Sequence, residues 1–414
     1  MLSESVRDPG EPSKSVRLAY FVTHPIQYQA PLLKRIARER DIDLRVFFCS
    51  NISVHGYSDK GFGGLRVKWD TPLLDGYSYE FLPGFRKNDT LSFATPLNYG
   101  IWSRLSEGGF DAVWTHGYYN FNCLHAMFAA RLLRIPVILR SEAPLSDHTR
   151  PATTRIAKRL FFMMMKHVIH SLACIGEAHR EYWIRYLGED MPILFMPYAV
   201  DNQYFSNQAA QASHQREELR EQLGLKPGFP IFLFVSKLQA RKRCIDLVEA
   251  FLGLSQGHDT EVPAYLLIIG DGDERASIER RIRKAASANI QMLGFRNQSE
   301  LPRFFDLCDV FVLPSMNEQW GLVVNEVLNA GRAVVLSNEV GCHLDLVEDG
   351  VNGFIFPPQN VEALRMILRQ FIADPALAAA MGREGLKKIG AYSFEQDVYG
   401  LRQALASCVP GFIA

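Results

Sequence analysis

The chain has 414 residues, too many for one ordinary hydrophobic core, so two domains of roughly 200 residues each are expected. Its 45 Lys and Arg balance 45 Asp and Glu, which removes any global electrostatic case for nucleic acid. The seven cysteines (49, 123, 174, 244, 308, 342 and 408) are scattered with no C-x-x-C pair, against a disulfide framework or zinc site and for a reducing compartment.

The stretch from Met1 to Ser15 is polar, holds two prolines and lacks an apolar core, so it reads as a disordered lead-in rather than a secretory signal. No later apolar run approaches the ~18–20 residues that span a bilayer, so a cytosolic protein is expected, soluble or peripheral on a membrane. From Val16 onward, short β-branched runs alternate with amphipathic stretches, the pattern of βαβ units around parallel sheets. Val16 to Val22 reads as a strand and Pro31 to Arg40 as a helix with Leu32, Leu33, Ile36 and Ala37 on one face. Further strands are expected at Leu44 to Phe48, Ala112 to Trp114, Val137 to Leu139, His170 to Ile175 and Ile193 to Met196. Pro197-Tyr198-Ala199-Val200-Asp201 then breaks the pattern, and the polar run from Asn207 to Arg216 reads as a linker. Strands resume at Ile231 to Val235, Ala264 to Ile269, Ile290 to Leu293, Val310 to Leu313 and Val334 to Leu336. The expected architecture is α/β, with two Rossmann-like domains facing across a cleft. Residues 16–198 form the first, residues 199–393 the second, and a helix in 394–414 returns to the first.

The second half carries the clearer chemistry. Ser236 to Arg243 follows a strand and precedes a helix, with four cations (Lys237, Arg241, Lys242, Arg243) in seven residues. That is either a solvated loop or a positive pocket for a diphosphate; its place at a strand-to-helix switch favours the pocket. Ile269-Gly270-Asp271-Gly272 ends the next strand, where glycines let backbone approach a ligand. Leu293-Gly294-Phe295-Arg296 either offers main-chain groups to a base or is an ordinary loop. The densest signal is Asn317-Glu318-Gln319-Trp320-Gly321-Leu322-Val323-Val324-Asn325-Glu326. It places Glu318 on the loop after a parallel strand and Glu326 about one turn into the helix, with free N–H groups between them. Gly331 would cap that helix in the left-handed region. Hydroxyl pairs at two places with an anion in the middle suit the arrangement, as in a nucleotide sugar.

Taken as an ordered set over about residues 190–395, these motifs resemble the GT-B-fold glycosyltransferases of retaining family four, also called glycosyl transferases group 1. Ser236-Lys237-Leu238 with Lys242 is similar to that family's Gly-Arg-Leu…Lys grip, and Ile268 to Gly272 to its Val-Gly-Asp-Gly segment. Glu318 to Glu326 resembles the paired-glutamate signature Glu-x-Phe-Gly-x-x-x-x-Glu, with Trp320 as the aromatic. Pro197 to Asp201 resembles Pro-Asn-Gly-Val-Asp, and Asp349 to Phe354 the Asp-Gly-x-Asn-Gly turn. The resemblance implies that Glu326 binds the ribose hydroxyls and that Glu318 holds the sugar and stabilises charge at the anomeric carbon. Lys237 and Lys242 would neutralise the departing diphosphate, helped by backbone N–H groups of Gln319, Trp320, Gly321 and Leu322. Gly270, Asp271 and Arg296 complete the implied donor site. No metal is implied, because cations serve that purpose. Lysine at 237, where arginine is usual, replaces a bidentate fork with a point charge.

The first half departs more from the pattern. Thr23-His24-Pro25-Ile26-Gln27-Tyr28-Gln29 stands where the family has a glycine-rich loop, and resembles a subset making bacterial surface polysaccharides. His24 and Gln27 are acceptor-side candidates, although His24 could equally make a structural hydrogen bond. Glu142 stands where the family often has a histidine, and it and His116 are candidates for the acceptor-side base. Thr154 to Leu172 mixes Arg155, Lys158, Arg159 and Lys166 with Phe161, Phe162 and three methionines. That is a basic amphipathic face for an anionic membrane or, as such spacing more often means, core. The expected activity is hexosyl transfer from a nucleotide diphospho-sugar to a carbohydrate or lipid-linked hydroxyl acceptor in surface polysaccharide or glycolipid assembly. The competing readings are a non-catalytic nucleotide-sugar-binding scaffold and a glycoside hydrolase, whose mechanism has no use for the basic loop.

Overall fold

The computed structural model describes residues 15–85, 90–142, 151–255 and 262–414, so all but the last residue of the expected lead-in lies outside the described residues. The first domain holds β1 (Val16–Val22), β2 (Ile42–Phe48), β3 (Tyr57–Asp59), β4 (Leu65–Val67), β5 (Ser78–Phe81), β6 (Ala112–His116), β7 (Val137–Arg140), β8 (Ser171–Cys174) and β9 (Ile193–Phe195). Seven of them form one parallel sheet in the order β5-β2-β1-β6-β7-β8-β9, while β3 and β4 pair as a separate antiparallel hairpin. The second domain holds β10 (Ile231–Val235), β11 (Tyr265–Ile269), β12 (Ile290–Gly294), β13 (Val310–Leu313), β14 (Ala333–Ser337) and β15 (Gly353–Phe356). Their order is β12-β11-β10-β13-β14-β15, again all parallel. Both are doubly wound sheets whose order reverses between the first and fourth strands of the sheet, the switch point outside which such folds bind ligands.

The strands read as nearly continuous apolar runs because both faces are covered. In β1, Phe21 enters one core with Phe47 and Val113, and Tyr20 the other with Phe48 and Trp114. All five residues of β10 are buried.

The chain crosses between domains twice. The first crossing is at 197–201. Instead of the expected linker, helix Asn202–Ala212 follows at once, with a 3-10 turn and helix Arg216–Gln222 after it. Two local forces outweigh the polar composition. Asp201 caps the helix by accepting from the Tyr204 N–H at 2.9 Å, and Phe205 and Ala209, one turn apart, are buried. The second crossing precedes helix Phe394–Ala406, which lays Val398, Leu401, Ala404 and Leu405 into the first domain's core. A buried ion pair fastens it: Arg140 Nη2 lies 2.7 Å from Asp397 Oδ1, and the same nitrogen donates to the carbonyls of Met196 and Pro197.

The described cysteines are all unbonded and six of the seven are buried. Among the described residues, no helix is long and apolar enough to cross a membrane. Helix Ala152–Met165 divides its apolar residues: Phe162 and Met165 are core, whereas Ile156, Leu160, Met163 and Met164 are exposed.

Candidate functional site

The loops after β10 and β13 leave the second sheet at its switch point, and there the basic loop meets Glu318. Glu318 is fixed by its backbone: its N–H donates to the Glu339 carbonyl at 3.0 Å, and its carbonyl accepts from Gly341 N–H at 2.8 Å. Its carboxylate is ion-paired with Lys242, and Arg241 Nη1 lies 3.3 Å away. Lys242 is buried, and burial lowers its pKa against the opposing pull of Glu318. The other two cations of the loop also have carboxylate partners. Lys237 Nζ is 2.9 Å from Asp59 Oδ2 and 4.8 Å from the Phe62 ring centroid, and Arg243 pairs with Asp246 at the start of its own helix. The expected open positive pocket is therefore charge-compensated from both domains.

Gly270 and Gly272 serve a different close approach from the one expected. A Cβ on Gly270 would lie 1.9 Å from the Ser236 carbonyl oxygen, and one on Gly272 2.5 Å from that of Leu238. The two glycines thus seat the β11 loop against the basic loop, locked by the Leu238 N–H donating to the Asp271 carbonyl at 2.8 Å. The Asp271 carboxylate is engaged locally, by Arg275 at 2.6 Å and the Gly272 N–H at 2.8 Å. Arg296 lies 3.6 Å from Glu300. Beside it, Phe295 packs edge-on against Phe62, which the β3–β4 hairpin brings across from the first domain.

Gly321, at φ 94°, turns the chain into helix Leu322–Asn329, and Gly331 ends it at φ 67°. The N–H groups of Gly321, Leu322 and Val323 find no acceptor among the described residues. Gln319 is exposed, but the Trp320 ring is buried and packs between the domains. Its Nε1–H donates to Asn325 Oδ1 at 2.9 Å, and its ring leaves no room for a side chain at Gly176 of the first domain. Glu326 has no side-chain partner among the described residues, and burial pushes its carboxyl up to about 8. It stands near enough to Tyr204 to raise that phenol's pKa, after burial and Asp70. Tyr204 lines a cavity of about 1150 Å³ between the domains, with Tyr28 on one wall and Gln298 and Ser299 on the other.

On the first-domain side, the ends of β1, β6 and β7 bring His24, His116 and Glu142 into one cluster. Glu142 Oε1 accepts from Tyr198 Oη at 2.8 Å and lies 3.5 Å from Tyr28 Oη. Burial raises its pKa, and the Glu318 charge across the cleft raises it further. His116 is held neutral, at about 3, by burial and by the Arg140 charge, so it is poorly suited to carry a proton. Burial likewise lowers His24 to about 4, and its Nδ1 lies 2.9 Å from Thr23 Oγ1. Gln27 is half-buried nearby on the same loop.

Sequence reasoning missed Asp59, Phe62 and Tyr198 as parts of this site. The hairpin residues carry no motif, and Asp59 meets Lys237 across a separation of 178 positions. Tyr198 had a visible signal: it stands where the family pattern has asparagine, opposite a Glu142 that stands where histidine is usual.

Residues 215–388 match the family Glycosyl transferases group 1. Alpha-D-kanosaminyltransferase of Streptomyces kanamyceticus is 25% identical over 61% of this chain and 65% of its own length. The UDP-Gal:alpha-D-GlcNAc-diphosphoundecaprenol alpha-1,3-galactosyltransferase of Escherichia coli is 23% identical over 74% of this chain and 77% of its own. Three further curated relatives are matched over only 38–46% of their length. Among solved structures, Anabaena HepE in complex with UDP and glucose superposes with a TM-score of 0.68 at 16% identity, covering 95% of this chain and 100% of that one. By fold the chain is thus a GT-B protein, and its residues 215–388 form a glycosyl transferases group 1 domain.

Proposed function

We propose that the protein is a retaining glycosyltransferase that moves a hexosyl group from a nucleotide diphospho-sugar to a hydroxyl of a carbohydrate or lipid-linked acceptor. The observation that carries this reading is Glu318, held by Lys242 and Arg241 beside unpartnered helix N–H groups and facing Glu142 across the cleft. In the reaction the bond from the anomeric carbon to the diphosphate oxygen breaks and the acceptor oxygen takes its place. Lys242, Arg241, Lys237 and the amides of Gly321 and Leu322 take up the charge of the leaving diphosphate. Glu318 stabilises positive charge at the anomeric carbon. Glu142, whose carboxyl burial raises above its ordinary range and so makes a stronger base, receives the acceptor's proton. Glu326, which has no side-chain partner among the described residues, would accept from the ribose hydroxyls. The reading needs no metal, so transfer should survive a chelator.

A lipid-linked acceptor is supported by the diphosphoundecaprenol named for the Escherichia coli relative. The exposed Ile156, Leu160, Met163 and Met164, beside Arg155 and Arg159, also support it as a peripheral contact with an anionic membrane on its cytoplasmic face. A role in bacterial surface polysaccharide or glycolipid assembly follows.

A thermal-shift panel of nucleotide sugars tests the donor. A true donor at ~100-fold its Kd stabilises the fold by ~2.7 kcal/mol, and no shift with any of them refutes the reading. Glu318→Ala should abolish transfer while keeping nucleoside diphosphate binding, because it releases Lys242 and Arg241 for the phosphates. Equal loss of both would mean that Glu318 is misassigned.

A further inference from the structure

Tyr198 lies in the first crossing between the domains and is buried, with its hydroxyl 2.8 Å from Glu142 Oε1 and 3.4 Å from His116 Nε2. Packing alone does not require that hydroxyl. The ring stacks on His116, meets Tyr28 and Trp320 edge-on and lies 4.9 Å from the Arg140 guanidinium, contacts that a phenylalanine would also make. The tyrosine backbone is tied to the second domain. Its carbonyl accepts from Asn325 Nδ2 at 3.0 Å, and Asn325 in turn accepts from the Trp320 indole, two residues from Glu318.

We propose that Tyr198 is the positioning residue of the acceptor-side carboxylate: its hydroxyl aims Glu142, and its backbone fixes that carboxylate relative to the Glu318 loop. This rests on the reading of Glu142 as the group that receives the acceptor's proton. The chain of donors has one consistent direction. Neutral His116, protonated at Nε2, donates to the phenol oxygen, and the phenol donates to Glu142. His116 Nδ1, which has no partner among the described residues, then needs no proton. A carboxylate receiving such a bond is favoured in its charged form, which opposes the effect of burial. Among the described residues, the groups facing Glu142 are Tyr28 from the loop after β1, Tyr119 from the loop after β6, Arg140 from β7, Tyr198, and Glu318 from the second domain. Of these Tyr198 makes the shortest hydrogen bond to it.

The test uses Tyr198→Phe, which keeps the ring, with Glu142→Gln and the double variant in the full chain. The Glu142 carboxyl is followed by carbon-13 NMR titration, with Glu142→Gln identifying its signal. Loss of the donated bond should raise its midpoint by about one pH unit or more. In turnover, the acid limb of kcat/KM should move up with it and kcat should fall by about 10- to 100-fold, with Kd for a nucleoside diphosphate kept within about twofold. In a Glu142→Gln background, Tyr198→Phe should cost little more. An unchanged midpoint and acid limb, or an equal loss with and without Glu142, would overturn the proposal. A wild-type protein inactive with every nucleotide sugar would instead overturn the functional reading, and the titration would still decide whether the Tyr198 hydroxyl sets the state of Glu142.

Discussion

If Glu326 holds the donor's ribose as proposed, donor binding is a pH-dependent event with a calculable slope. Burial disfavours the charge of Glu326 and pushes its carboxyl up to about 8, and among the described residues no cation offsets that. A ribose diol donates two hydrogen bonds, so it prefers the carboxylate. If only that form binds, the apparent Kd is the intrinsic value divided by the ionised fraction. That fraction is roughly nine-tenths at pH 9 and one-eleventh at pH 7, so affinity falls about tenfold over the interval, or ~1.4 kcal/mol. Titration calorimetry with UDP or GDP from pH 7 to 9 reads this directly. Buffers of different ionisation enthalpy should show roughly 0.9 proton released on binding at pH 7. The lysines act in the opposite sense: burial lowers the Lys242 pKa, and losing its charge at high pH would weaken phosphate binding. Tighter binding on raising the pH therefore points to Glu326. Glu326→Gln should flatten the profile, and a wild-type profile already flat, or falling toward pH 9, refutes the reasoning.

The same burial has a consequence for stability. The folded pKa of Glu326 is raised, so between about 4.5 and 8 the unfolded chain is ionised where the folded one is protonated, and stability falls as pH rises through that window. Glu326→Gln should therefore be more stable than the wild type at pH 8, by roughly 1–3 kcal/mol in denaturant melts, and an equal or lower midpoint contradicts it. Asp397→Ala strands the buried Arg140 charge and should cost ~3–5 kcal/mol, visible in chemical denaturation. Asp59→Asn releases Lys237 and should tighten UDP or GDP binding several-fold at low salt, and weaker binding would mean that Asp59 aims the lysine. Gly270→Ala drives a methyl into the Ser236 carbonyl, so donor affinity should drop with little loss of secondary structure by circular dichroism.

The parallel sheets were legible because strands covered on both faces must be apolar along their length; Val16 to Val22 and Val310 to Leu313 have the expected bounds. The cap at Gly331 was legible for an equally local reason, the left-handed φ it adopts. The β3–β4 hairpin was not, since strands of three residues carry no period. The helix over Asn202–Ala212 was hidden by glutamine and asparagine, and its buried face rests on Phe205 and Ala209. In the candidate site, the residues clustered at strand ends could be named from motifs. Their partners could not: Lys237 with Asp59, Lys242 with Glu318 and Glu142 with Tyr198 are pairings that only the folded chain creates.

The two crossings between the domains lie side by side. Asn202 Nδ2 donates to the carbonyls of Ile389 and Tyr392 at 3.2 and 3.3 Å, and Arg140 holds Met196, Pro197 and Asp397 together on the other side. Topologically, the second domain is an insertion into the first, entering and leaving through one doorway. Any rocking of one domain on the other must then turn on a double-stranded hinge, which permits opening of the cleft and resists twisting. The same doorway makes the stretch between the crossings a natural cassette: the second domain of a relative could be exchanged there, provided that it also meets Asp59, Phe62 and Gly176 of the first.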